Sequence, residues 1–322
     1  MARRSTTLRL IYAAMAGNCL VAITKFVAGA WTGGSAMIAE AVHSLVDTGN
    51  QILLLYGLRR AQERPSPERP LGHGREIYFW SFIVALLIFS LGAGVAMLEG
   101  VLHILTPRAI EDAYINYIVL GLAFVFEGTT WWIAVRGVDS MKGADSYLEA
   151  FRRSKDPPSF MVLFEDSAAL LGIVVAFLGT WASIWLQWPI LDGLASILIG
   201  LVLAAVAIIL AIETKSLLIG EPALPEVENS IKRLASADPG VRRVNGVITV
   251  HLAPDQIMAA LSLEFDDSLT TSTIEAKVEE LEDRVRAAHP EVVSLFIKPQ
   301  RPSRFHEVRA RRFGVKKVEK TP

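Results

Sequence analysis

Residues 35–58 read Ser35-Ala-Met-Ile-Ala-Glu40-Ala-Val-His43-Ser-Leu-Val-Asp47-Thr-Gly-Asn50-Gln51-Ile-Leu-Leu-Leu-Tyr-Gly-Leu58, and this stretch decides the fold. It is long enough to cross a bilayer, which takes about 20 mostly apolar residues. It nevertheless carries Glu40, His43, Asp47, Asn50 and Gln51. An acid at mid-membrane costs about 2.5–3.5 kcal/mol, against about 0.3–0.6 kcal/mol contributed by each Leu or Ile. The polar side of such a helix must therefore face other helices. His43 and Asp47 are four residues apart and share a face. An imidazole and a carboxylate one turn apart form half of a divalent-metal site.

Working outward, five further apolar runs lie at 8–31, 77–105, 113–135, 159–185 and 190–212. The chain thus reads as an α-helical membrane protein with six transmembrane helices over 1–213. Composition agrees: 322 residues, 52% hydrophobic and only 20% charged, with a mean hydropathy of +0.39. Those figures exclude a disordered chain, a coiled coil and an ordinary cytosolic enzyme. A net charge of −1 leaves no basic surface for nucleic acid. The lone Cys19 excludes an internal disulfide or a cysteine-based zinc site.

Lys and Arg cluster on one side of the six runs, before the first, between the second and third, and between the fourth and fifth. Arg108 stands alone on the other. By the positive-inside rule both termini face the cytoplasm. The short stretch before the first run leaves little room for a transit peptide, so a bacterial cell (inner) membrane is expected.

Depth follows from the rise of about 1.5 Å per residue. Asp47 falls about 18 Å below the outer end of its helix and Asp166 about 10 Å above the inner end of the fifth, similar levels in a core of about 30 Å. Asn18 and Glu127 reach a comparable depth. The layer reads as a cation site lining a path. Lys25 and Glu40 match in depth, and are as readily a structural ion pair as part of the site. Glu99 and His103 are expected at the interface, with Asp192 capping the sixth helix.

After residue 213 the hydropathy drops. Helical spacing over 225–237, alternation over 244–252, a strand over 256–265, a helix over 273–288 and a strand over 292–297 give the order αββαβ. That predicts a C-terminal cytoplasmic α+β ferredoxin-like domain over 214–300. Residues 301–322 read as a basic flexible tail.

With these segments in view the sequence resembles the cation diffusion facilitators, proton-coupled divalent-metal exporters. The resemblance rests on Asn18, Lys25 and Gly29 followed by Thr32-Gly33-Gly34-Ser35; on His43-Ser-Leu-Val-Asp47; on Leu71-Gly72-His73-Gly74-Arg75-Glu76; on Glu165-Asp166; and on Ser216-Leu-Leu-Ile-Gly220-Glu221. It implies a homodimer in the lipid bilayer, with six spans per subunit and a tetrahedral site between the second and fifth. His43, Asp47 and Asp166 match three of its ligands. The fourth position holds Val162, which cannot ligate; Asn18, Glu127, Glu165 or water is left to supply it. The Glu-Asp pair resembles a branch with bacterial and mitochondrial members. His73 lacks the usual partners of an accessory site, where Arg69 stands, and is read as a loop residue. In the C-terminal domain the metal positions look like Asn245, Ser262 and Lys298, so dimerisation without tight zinc binding is expected. His289, before Pro290, suits a helix C-terminus.

The resemblance implies proton-coupled efflux of a divalent metal cation, Zn(2+) first, with Fe(2+), Co(2+) or Mn(2+) as alternatives. No permanent cofactor is expected. A membrane enzyme is disfavoured, because no nucleophile elbow, H-E-x-x-H helix or phosphate loop is present. A non-transporting scaffold or metal sensor is the remaining alternative.

Overall fold

The structure is a computed structural model that describes residues 2–32, 35–106 and 113–313. Within those bounds the side chains of 2–5, 28–29, 31–32, 35–43, 113, 148 and 312–313 lie outside the described residues. The chain divides into two compact units, Met1–Leu218 and Ile219–Pro322. The boundary falls five residues beyond the expected one, because α8 continues past the apolar run.

The first unit is helical. It comprises α1 (Ala2–Thr32), α2 (Ser35–Arg60), α3 (Glu76–Leu87), α4 (Gly94–Leu105), α5 (Ala113–Lys142), a short α6 (Tyr147–Arg153), α7 (Pro157–Trp185) and α8 (Ile190–Ile219). Among the described residues five stretches are long and apolar enough to cross a membrane: Thr6–Val27, Glu76–Leu105, Tyr114–Lys142, Pro157–Trp185 and Ile190–Ile219. At 26 residues α2 is also long, and its polar content sets it apart from those five.

The third apolar run is not a uniform α-helix. A π-helical turn, Ile88–Ala93, joins α3 to α4. Its sequence Ile-Phe-Ser90-Leu-Gly92-Ala offers little resistance: a glycine favours no helical backbone, and the Ser90 hydroxyl donates to the Leu86 carbonyl at 2.8 Å. Beyond it α4 meets α8 through glycines. A Cβ on Gly100 would lie 2.7 Å from the Gly193 carbonyl oxygen, and one on Gly193 would lie 2.8 Å from that of Gly100. In a membrane, where lipid is as apolar as leucine, such close backbone approach is a main source of helix association.

The core of this unit is built from Leu10, Leu54, Tyr78, Met161, Leu210 and their neighbours. Val162, 1% exposed, belongs to it. The α1 and α7 N-termini are tied by a buried polar knot. The Thr7 hydroxyl donates to Asp156 at 2.6 Å, and Ser159 also donates to Asp156, at 2.8 Å.

The second unit runs α9 (Pro225–Ser236), β1 (Val241–Ala253), β2 (Gln256–Phe265), α10 (Thr271–Ala288), β3 (Val292–Pro299) and α11 (Pro302–Phe313). The sheet order is β1-β2-β3, with β1 and β2 antiparallel (Thr249 opposite Ala259) and β2 and β3 parallel (Ala259 opposite Leu295). Ile257, Ala259, Leu261, Leu263 and Phe265 alternate along β2 and are all buried. They pack with Ile231 and Ala235 of α9 and Leu281 and Val285 of α10. Period-two burial on one face and helices over it is the expected two-layer arrangement. His289 is the C-cap of α10, as expected.

Residues 302–313, within the stretch read as a tail, form helix α11. Phe305 seats against Gly246, leaving no room for a side chain there, and so anchors α11 on β1. Asp192 does not cap α8; it lies inside the first turn. It accepts a hydrogen bond from Thr180 of α7 at 3.1 Å and faces His103 of α4 at 3.6 Å.

Candidate metal centre

Three described helices bring acids to one layer. Asp47 comes from α2, Glu127 from α5, and Glu165 and Asp166 from α7. Their charges are close enough to act on one another: Asp47 on Glu127, Glu165 and Asp166, and Glu127 on both α7 acids. Asn18 on α1 is buried as well. The α1 backbone reaches this layer because Gly17 lies directly against the Thr130 methyl. The Thr130 hydroxyl lies beside the Asp166 carboxyl and donates to the Glu127 carbonyl at 2.9 Å.

Asp166 and Glu165 differ sharply although adjacent. Asp166 is 2% exposed and, among the described residues, its Oδ2 has no hydrogen-bond partner. Glu165 is held through both oxygens. Gln51 Nε2 donates to Oε2 at 2.8 Å and Asn50 Nδ2 donates to Oε1 at 3.4 Å. Successive helical residues point about 100° apart, so the two acids of α7 face different neighbours.

Asp47 is partly buried and the His43 side chain lies outside the described residues. Among the described residues no three His, Cys, Asp or Glu side chains converge tightly enough to hold an ion. What the fold presents is an acidic layer within apolar helices. A buried unpaired carboxylate oxygen in such a layer is costly, and the cost is relieved by a cation or a proton.

The other expected residues fall elsewhere. Lys25 donates to Ser44 at 3.3 Å, and the Glu40 side chain lies outside the described residues. His73 sits in the loop between α2 and α3, as expected. Arg69 Nη1 lies 3.0 Å from His73 Nδ1 and 3.0 Å from Glu76 Oε1. Arg60 joins the same cluster through Glu63 and Glu76. Two guanidinium groups thus stand where the loop's acids and imidazole converge. In the second unit Asn245 donates to Gln300 O at 2.7 Å and to Ser262 at 3.3 Å. Ser262 in turn donates to Gln300 Oε1 at 3.1 Å. Lys298 is exposed.

The roles of Asn50, Gln51 and Thr130 are not predicted from sequence. A signal existed: Asn50 and Gln51 follow Asp47 by three and four residues, and Thr130 follows Glu127 by three, the spacings that share a helix face.

Comparison with known proteins fits this geometry. Residues 11–219 match the family model for the cation efflux transmembrane domain, and residues 223–299 match that for the cation efflux protein cytoplasmic domain. The chain is 31% identical over 265 residues to the Homo sapiens protein named proton-coupled zinc antiporter SLC30A9, mitochondrial, covering 82% of this chain and 47% of that protein. It is 36% identical over 217 residues to metal tolerance protein C4 of Arabidopsis thaliana, covering 66% and 47%. With the cation-efflux pump FieF of Escherichia coli it shares 23% identity over 287 residues, covering 88% and 89%. The chain spans about half the length of the first two relatives. Two family models in succession, over a helical membrane unit and a small-sheet unit, show that the chain belongs to the cation diffusion facilitator family.

Proposed function

We propose that this chain exports a divalent metal cation from the cytoplasm in exchange for protons, with Zn(2+) as the preferred cargo. The observation that carries the proposal is the buried Asp166 Oδ2, without a hydrogen-bond partner among the described residues, in a layer shared with Asp47 and Glu127. His43, one turn before Asp47, supplies the imidazole. Asp47, Asp166 and His43 are the ligands, and Glu127 or Asn18 is close enough in depth to complete the set. The names of the relatives support both the zinc and the proton, since one is called a proton-coupled zinc antiporter.

In this reading α2 is a span as well, the second of six, its polar side turned to the acidic layer. Both termini face the cytoplasm, the basic loops staying inside. The second unit is a ferredoxin-like layer through which two copies pair, in keeping with its family model. The membrane is the bacterial inner membrane. Metal binds from the cytoplasmic side, the helices rock about the fixed site, and the ion leaves outside. Protons compete for the same ligands, because carboxylate and imidazole must be deprotonated to bind metal. A proton gradient directed inward therefore drives metal outward.

The test is flux in proteoliposomes across Zn(2+), Fe(2+), Co(2+) and Mn(2+), with and without an opposing proton gradient. Acceleration of zinc movement by the opposing gradient is expected, with loss of flux in Asp47→Ala. Gradient-independent flux would refute the coupling. Equal rates for all four metals would refute the zinc preference. Absence of flux from folded protein would favour a scaffold or sensor.

A further inference from the structure

The buried amides of α2 have no part in the site as proposed. Asn50 is 2% exposed and Gln51 0%, and such groups are retained in an apolar helix only when their hydrogen bonds serve something. Both spend their donors on Glu165. The helices packed most closely on α2 are α1 and α3, and those on α7 are α5 and α1. Among the described residues, Asn50, Gln51 and Glu165 form a polar connection between α2 and α7.

We infer that Glu165 positions the site rather than ligating the ion: with Asn50 and Gln51 it forms an amide–carboxylate clamp that fixes α2 against α7. The inference rests on the reading above that Asp47 and Asp166 hold the transported cation. Gln51 lies one turn beyond Asp47 on α2, and Glu165 immediately precedes Asp166 on α7. Fixing the 51–165 pair consequently sets how the two ligands approach each other. A metal ligand must be held within a few tenths of an ångström by its supporting shell, and hydrogen-bonded partners of this kind supply that support. The oxygens of Glu165 are both engaged, whereas Asp166 keeps one oxygen open. The clamp and the ligand divide the two adjacent acids between them.

The amide groups add a discriminating detail. Asn50 Oδ1 and Gln51 Oε1 are buried and have no hydrogen-bond partner among the described residues. Either amide can turn over and present its carbonyl in place of its N–H. A carboxamide at position 165 would then keep two hydrogen bonds: its oxygen accepts from one amide and its N–H donates to the turned carbonyl of the other. Glu165→Gln preserves the clamp while removing the carboxylate. A ligand that holds zinc by its negative charge would lose most of its affinity with that change.

The experiment compares wild type with Glu165→Gln, Glu165→Ala, Gln51→Leu, the double variant Gln51→Leu/Glu165→Ala and Asp166→Asn. Zinc flux is measured against zinc concentration in proteoliposomes, with zinc binding by calorimetry in detergent. Glu165→Gln is expected to keep half-saturating zinc and maximal flux within about threefold of wild type. Glu165→Ala and Gln51→Leu should raise the half-saturating concentration about tenfold, and the double variant should be no worse than the poorer single one. Rescue by Glu165→Gln separates positioning from general loosening of the bundle, and it is readable even if the alanine variant fails to fold. Loss of binding in Glu165→Gln as complete as in Asp166→Asn would make Glu165 a ligand and overturn the inference. Wild-type behaviour of Glu165→Ala would overturn it too. Full flux in Asp166→Asn would instead overturn the site reading, and the clamp's purpose with it, whatever the Glu165 variants do.

Discussion

Gly17 of α1 faces the Thr130 methyl of α5 with no space for a side chain between them. Thr130 in turn lies beside Asp166. A single hydrogen at position 17 thus lets α1 approach the acidic layer closely enough to bring Asn18 to its depth.

Gly17→Ala would force Thr130 aside. Thr130 is β-branched, stiff at χ1 and buried, so it yields poorly. Overpacking of this kind costs about 1–3 kcal/mol. The expected result is a thermal midpoint lowered by several degrees in detergent and zinc affinity reduced with it. Thr130→Ser in the same background, which removes the obstructing methyl and keeps the hydroxyl, should recover both. No recovery would place the damage elsewhere.

The crossing of α4 and α8 is equally tight. A Cβ on Gly100 would meet not only the Gly193 carbonyl but also Ile197 Cγ1, at 2.7 Å. Backbone cannot move aside as a flexible side chain can. Gly100→Ala is expected to destabilise more than Gly121→Ala, because Gly121 has nothing within 4 Å of the added atom. Paired thermal melts of the two variants check this.

Asp238 closes the end of α9 onto α10. Its Oδ1 accepts from the Gly240 N–H at 2.8 Å and from Lys277 at 2.7 Å, and its Oδ2 accepts from Arg284 at 3.1 Å. Burial alone would raise its pKa; the hydrogen bonds from Lys277 and Gly240 and the nearby cationic charges outweigh that and hold it below the usual aspartate value. A depressed folded pKa contributes stability that is present above the unfolded value of about 3.9 and lost as pH falls through the folded one. Protection of the amides over 225–288, taken relative to the intrinsic exchange rate at each pH, should therefore be high at pH 7 and fall below about pH 4. Asp238→Asn should flatten that pH response and cost about 2 kcal/mol at neutral pH. An unchanged pH response in the variant would remove Asp238 from this role.

Arg69 neutralises the acids of the loop between α2 and α3. Its partners are partly exposed, and an isolated surface pair is worth only about 0–1 kcal/mol. Arg69→Ala should leave the thermal midpoint nearly unchanged. It also opens Glu63, His73 and Glu76 to a cation. Extra zinc bound per chain in the variant, read by calorimetry, is the expected outcome; unchanged stoichiometry would mean that the loop holds no latent site.

Much of this was legible in the residues because it follows from period and cost. The α2 stretch betrayed itself by its polar residues, and Asp166 by its acid in an apolar run. The strands of the second unit showed period-two alternation, which the burial of Ile257, Ala259, Leu261 and Leu263 reproduces. What escaped depends on partners that period does not name. Helical spacing places Asn50 and Gln51 on the face of Asp47, but nothing in it says that their donors meet Glu165. The π-helical turn at Ile88–Ala93 interrupts a run whose hydropathy is uniform, and hydropathy carries no record of hydrogen-bond register. The charge of α11 hides Phe305, which packs against β1 where a Cβ at Gly246 would meet its ring.

If Asp166 binds the transported ion, zinc flux through Asp166→Asn reports it. This substitution is nearly isosteric and removes the charge alone, so folding should persist. Wild-type assembly in detergent, with zinc binding and zinc flux lost together, is the expected result. Undiminished zinc flux in that variant would contradict it.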